Sequence, residues 1–227
     1  MTEVQRRGFN SNVAKTYFSN RLDEIIAHRE IGGYLKAANY RKRGHAFNRQ
    51  TEPGLIQVIN FQAGQNFSLY YGQFTINLGI FVEEIFKTTL EIPVPDFPKE
   101  YHCELRTRLG ALTPYERDHW WDLRENQLQA SLEIGHLLQK YAIPFLDSFA
   151  SREAIIKQWY AGNLERWLPA RRGVSVAIVA AHLGRSEEAR QLLQEHYRKC
   201  IQENCKHQDF ISRIAAKLNV SLSLTDG

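Results

Sequence analysis

The chain of 227 residues carries 29 Lys and Arg against 25 Asp and Glu, and it is 43% hydrophobic and 24% charged. Those proportions supply a core and exclude a wholly disordered chain. A formal charge of +4 does not mark a nucleic-acid protein unless the basic residues gather in a stripe. Three cysteines, Cys103, Cys200 and Cys205, are too few and too odd in number for a disulfide framework.

The opening MTEVQRRGFNSN has no apolar run of the kind a secretory signal carries. The longest apolar stretch, around Val174 to Leu183, is about half of what a membrane span needs. The expectation is a cytoplasmic protein in a reducing compartment, without membrane association.

From Ser11 to about Tyr34, Val13, Phe18, Leu22, Ile25 and Ile26 recur at helical intervals, until Gly32-Gly33 interrupts them. Period two follows. Ala46 to Gln50 and Leu55 to Gln62 are strand candidates around a Thr51-Glu52-Pro53-Gly54 turn. Phe67 to Val82 contains the longest strand, and Tyr101 to Leu109 is the last. Between them Glu83 to Thr88 suits a helical turn, and the proline-rich EIPVPDFPKE suits an extended connection.

Residues 122 to 220 are patterned as helices. Leu128, Leu132, Gly135, Leu137 and Leu138 mark one, which Pro144 ends or kinks. Ser151 is an N-cap candidate. Further helices are expected over Val174 to Leu183, Ser186 to Glu203 and Gln208 to Leu218. The segregated order predicts an α+β fold: an antiparallel sheet of about four strands with an N-terminal helix, plus a helical C-terminal region. The expected division is an α+β sheet domain over residues 1–123 and a helical region over 124–227, packed as one unit.

In QFTINLGIFV, residues 73–82, the residues Phe74, Ile76, Leu78, Ile80 and Val82 share one face. In HCELRTRLG, residues 102–110, Cys103, Leu105, Thr107 and Leu109 alternate with Glu104, Arg106 and Arg108. Pairing the apolar sides turns Thr75, Asn77, Glu104, Arg106 and Arg108 outward, with Gln57 or Asn60 joining from the Leu55 strand. Paired guanidinium forks on a polar sheet face suit an anion or an acidic partner. A solvated face with a cross-strand Glu–Arg pair is the plainer reading.

The segments YLKAANYRKRGHAFNR, LIQVINFQ, FTINLGIFV, CELRTRLG and DHWWDL together resemble the family of domain of unknown function 4304, over about Tyr34 to Leu123. The resemblance implies a small mixed domain and supplies no activity and no site residues.

Three other motifs invite chemistry. His196, Cys200, Cys205 and His207 form H-x3-C-x4-C-x-H, a metal alternative only if the helix carrying them ends near Asn204; otherwise they are helix-surface histidines and partly buried thiols. Asp118 and His119, with Glu116 and Asp122, suit acid–base work but lack a nucleophile beside them. Arg41, Lys42, Arg43 and Arg49 around Tyr40 and Phe47 suit single-stranded nucleic acid. The stretch 177–198 has the look of a single tetratricopeptide hairpin without a second copy. No phosphate-loop, dinucleotide-fold, nucleophile-elbow or zincin signature occurs.

The reading is a non-catalytic module without a cofactor that binds another protein through Arg106, Arg108, Glu104, Asn77 and Thr75. The alternatives are an enzyme with an anion pocket around Arg106 and Arg108, and a nucleic-acid binder through Arg41–Arg43.

Overall fold

The computed structural model describes residues 17–64, 69–163 and 172–223. The first helix, α1, covers residues 17–27 there and buries Leu22, Ile25 and Ile26. It does not run on to Tyr34 as a regular helix. Arg29–Gly33 widens into a π turn before a last α turn, α2, at Tyr34–Ala37. Gly32 makes this possible, because a Cβ there would lie 2.6 Å from the carbonyl oxygen of Ile26.

The sheet holds β1 (Arg41–Arg43), β2 (Ala46–Glu52), β3 (Leu55–Ala63), β4 (Gln73–Val82) and β5 (Leu105–Arg108) in meander order. A two-residue strand that the sequence reading missed, β6 (Trp121–Asp122), pairs antiparallel with the start of β4. The fold is α+β, with six strands among the described residues where about four were expected. β1 pairs antiparallel with β2 in the register Arg41↔Asn48, Lys42↔Phe47 and Arg43↔Ala46.

The helices are α3 (Glu83–Leu90), α4 (Leu109–Leu112), α5 (Gln127–Leu137), α6 (Ile143–Asp147), α7 (Arg152–Tyr160), α8 (Arg172–His182), α9 (Ser186–Gln202) and α10 (Gln208–Lys217). Pro144 does not stop its helix. A π turn at Leu138–Ala142 absorbs the missing N–H, and α6 carries the helix on.

Among the described residues the chain forms two compact units, and the division falls within β2, β3, β4 and β5. The first is built from Met1–Arg49, Val58–Leu78 and Thr107–Phe145. Its core gathers Leu22, Ile25, Ile31, Leu35, Phe47, Phe61, Phe74 and Trp121. The Phe61 and Phe74 rings lie 6.4 Å apart, and those of Phe74 and Trp121 5.8 Å apart.

The second unit is built from Gln50–Gln57, Gly79–Arg106 and Leu146–Gly227. Val174 to Ala180 of α8 are all buried, as expected of a helix packed on every side, and α3, α7 and α9 lie against it. Ser151 is the N-cap of α7, its hydroxyl accepting from the Ala154 N–H at 3.0 Å. Among the described residues no helix is long and apolar enough to cross a membrane.

The expected outward face of β4 is corrected. Thr75 is 0% and Asn77 3% exposed, and every residue from Phe74 to Val82 is buried. In the first unit the Thr75 hydroxyl donates to the His119 carbonyl at 2.9 Å, and the Asn77 amide donates to Gln62 Oε1 at 2.7 Å. In the second, a Cβ on Gly79 would come within 2.7 Å of Cys103 Sγ, and Phe81 packs on Phe86 with ring centres 5.3 Å apart. Gln57 is buried too, its amide donating to the Leu146 carbonyl at 2.8 Å. A strand covered on both sides loses its wet face, and polar residues stay there because each finds a hydrogen bond.

Candidate functional site

β5 keeps the alternation read from its sequence. Leu105 and Thr107 are buried, while Arg106 and Arg108 are half-exposed. Arg106 pairs with Glu100 at 3.1 Å in the second unit. Arg108 belongs to the first unit, where its Nε donates to Asn77 Oδ1 at 3.3 Å and its Nη1 pairs with Asp118. Asn77 is therefore a buried orienting residue for Arg108, and Thr75 holds the 113–120 loop through His119. Glu104 precedes β5 and is half-buried.

Around Arg108 the first unit assembles residues that the strand argument did not reach. The Arg108 guanidinium sits 5.5 Å from the centre of the Trp120 ring, and the Trp120 indole N–H donates to Asp118 Oδ2 at 3.2 Å. Tyr70 stacks on Trp120 at 4.1 Å with 14° between the planes. Tyr70 is 41% exposed, and its neighbour Leu69 is 97% exposed. The result is a ridge of Tyr70, Trp120 and Arg108, fastened by Asp118 and Asn77, with the exposed Leu69 next to Tyr70 in the chain. Its sequence signals were Arg108 on the alternating strand and the adjacent tryptophans. Trp121 is the buried structural member of that pair and Trp120 the surface one.

Next in the chain, His119 stacks on Tyr115 at 4.2 Å and meets Trp121 edge-on at 4.6 Å. Glu133 of α5 accepts from the Tyr115 hydroxyl at 2.7 Å and the Trp121 indole N–H at 3.3 Å. Burial pushes His119 below the usual imidazole range, with Glu133 opposing. Hydrogen bonding to Glu133 raises the Tyr115 phenol. Asp122 is committed to Arg124, accepting from its backbone N–H and pairing with its guanidinium, each at 2.8 Å. Asp118, His119 and Asp122 thus each have a packing or cation-orienting partner, while Glu116 lies exposed in the loop.

The basic segment lies on β1 and β2, where Arg41 stands opposite Asn48, the neighbour of Arg49. Arg41, Lys42 and Arg43 are exposed on β1. Arg49 is half-buried, stacked 4.7 Å from the Tyr40 ring centre and donating to the Ala38 carbonyl at 3.4 Å. Charged residues on an outer strand also discourage edge-to-edge pairing.

The H-x3-C-x4-C-x-H alternative and the expectation of separate thiols are both corrected, because Cys200 and Cys205 are joined as a disulfide. α9 ends at Gln202, so Cys205 turns back over Cys200 instead of rotating around the helix. Among the described residues no group of three or more His, Cys, Asp or Glu is arranged to hold a metal ion.

Residues 31–148 match the family model described as domain of unknown function (DUF4304). The chain belongs to the DUF4304 family. The DUF4304 match starts within the π turn and runs to α6, taking in β1–β6 and α5, and so reaches beyond the Leu123 at which the resemblance ended. It spans the whole Tyr70–Trp120–Arg108 ridge. No curated protein and no solved structure matches the chain.

Proposed function

We propose that this DUF4304 protein is a non-catalytic, cytoplasmic binding module that takes another protein on the ridge of Tyr70, Trp120 and Arg108 and the neighbouring Leu69. The observation that carries the reading is the pre-ordered Tyr70–Trp120–Arg108 stack, with Tyr70 exposed and a fully exposed Leu69 beside it. Trp, Tyr and Arg dominate the energetics of protein interfaces because they bring large area on few rotors. Side chains already fixed by Asp118 and Asn77 lose little further freedom when a partner lands, which favours affinity. The surface therefore moves from the open sheet face expected from alternation to the loops flanking β4, with Arg108 retained and Arg106 outside it.

The test is a quantitative pull-down from native lysate with the natural protein and with Trp120→Ala, Leu69→Ser and Arg106→Ala, each checked for an unchanged unfolding midpoint. Partners recovered by the natural protein fall at least about tenfold with Trp120→Ala and Leu69→Ser and persist with Arg106→Ala, as expected when a central aromatic anchor is truncated. Equal recovery by all four proteins removes the ridge as the binding surface.

A further inference from the structure

The two cysteines of the α9 segment take no part in the ridge, and their placement is specific. Asn204, just past the end of α9, adopts φ +49°, the left-handed region. The Asn204 N–H donates to the Ile201 carbonyl at 3.0 Å and the Cys205 N–H to the Cys200 carbonyl at 2.8 Å. Those two bonds define a Schellman ending, with asparagine where glycine is commoner. The motif brings the residue after the left-handed one against the residue five positions before it, a contact usually made by apolar side chains. Here both positions are cysteine, with Cα atoms 4.9 Å apart, inside the range a disulfide spans.

We propose that Cys200–Cys205 is a reversible thiol–disulfide clasp that sets the order of the α9–α10 turn. Cys200 is 2% exposed and Cys205 half-exposed, so a small dithiol reaches the Cys205 sulfur first. One thiolate of that dithiol attacks Cys205 Sγ. The S–S bond breaks, and Cys200 Sγ leaves with the electron pair and takes up a proton. The second thiolate of the reductant then attacks the mixed disulfide, releasing Cys205 as a thiol and the reductant as its own disulfide. Two electrons and two protons pass to the protein, and oxidation by a disulfide reverses each step. Lys206, next to Cys205 in the chain, brings a positive charge close to the exposed cysteine.

Two features favour a switch over a permanent staple. The cysteines are five residues apart, so closing so short a loop removes little freedom from the unfolded chain. The Schellman bonds need no sulfur, so α9 keeps its ending when the clasp opens. At its other end α10 stays tied, since Lys217 donates to the Thr88 carbonyl at 2.9 Å and pairs with Glu91. What opening releases is the stretch after Cys205 and the first turn of α10, which opens with the Ile211 N–H donating to the His207 carbonyl at 3.0 Å.

The test uses the full-length protein equilibrated with oxidised glutathione, then with dithiothreitol, without denaturant. Alkylation and peptide mapping should find Cys200 and Cys205 blocked as one linked peptide in the first state and both labelled in the second. Backbone hydrogen exchange over 206–212 should quicken at least twofold on reduction while α8 and the α9 ending are unchanged. Cys205→Ser should show the fast exchange in both buffers; if that variant fails to fold, the two states of the natural protein still decide. Free thiols in the oxidised buffer, a disulfide that resists dithiothreitol, or exchange that differs by less than twofold between the states would each overturn the clasp.

Discussion

Arg152 has the most demanding side-chain environment in the second unit. Its Nε and Nη2 grip Glu84 at 2.7 and 2.8 Å, its Nη1 meets Glu52 at 3.0 Å, and Nη2 also donates to the Pro53 carbonyl at 3.0 Å. The Glu84 bond is the leading reason its proton is held more tightly than usual. A guanidinium this well shared ties the β2–β3 turn and α3 to the start of α7. Removing it leaves the buried carboxylate of Glu84 uncompensated, so Arg152→Ala should cost about 3–5 kcal/mol in urea unfolding. Arg185, which pairs with Glu153 and Glu188 at the surface, is the contrasting case. Arg185→Ala should leave the urea midpoint nearly unchanged, because water and salt screen the pairs it loses. Equal losses for the two variants would show that burial does not set the value of these ion pairs.

The helices were legible because their signals are local. Ser151 before an apolar periodic run predicted the N-cap of α7, and the hydroxyl-to-Ala154 bond is there. Ser151→Ala should lower stability by about 1 kcal/mol, read by thermal or urea unfolding. The boundaries of α8, α9 and α10 fall within two residues of the pattern in Val174–Leu183, Ser186–Glu203 and Gln208–Leu218. β5 was legible in its alternation, since Arg106 and Arg108 sit on the half-exposed side, but not in its start: a 3-10 turn holds Glu100–His102 where a strand from Tyr101 was expected, and the strand begins at Leu105. The burial of β4 was not legible. Its polar residues Thr75 and Asn77 look like an outer face in one dimension, yet each is buried by a partner distant in sequence, His119 and Gln62. Periodicity reports polarity and carries no record of such partners. Gly79 shows how tight that second covering is, since it leaves no room for a Cβ beside Cys103. Gly79→Ala should therefore destabilise by about 1–3 kcal/mol despite its small size. A neutral result would mean that the strand and the Cys103 segment separate easily. The ridge escaped for a similar reason: Tyr70 and Trp120 are 50 residues apart, and only the fold stacks them.

For the molecule as a whole, three histidines share a direction. Burial is the leading cause that lowers His102, His119 and His196 below the ordinary value of 6.5. Each takes a proton less readily folded than unfolded. As pH falls through about 6.5 the unfolded chain therefore binds more protons, and stability must drop. The urea midpoint should be highest near pH 7.5 and fall toward pH 5.5, with a shallower fall in His196→Asn. A flat profile over that window would contradict the burial of these rings. The central claim concerns where a partner lands, and site-specific photo-cross-linking in the native cell tests it most directly. A photoreactive residue at position 69 should capture a discrete protein, lost when Trp120→Ala is added, while the same probe at Lys42 or Arg106 captures none. Capture from position 42 or 106 with none from 69, or capture from 69 that survives Trp120→Ala, would contradict the account.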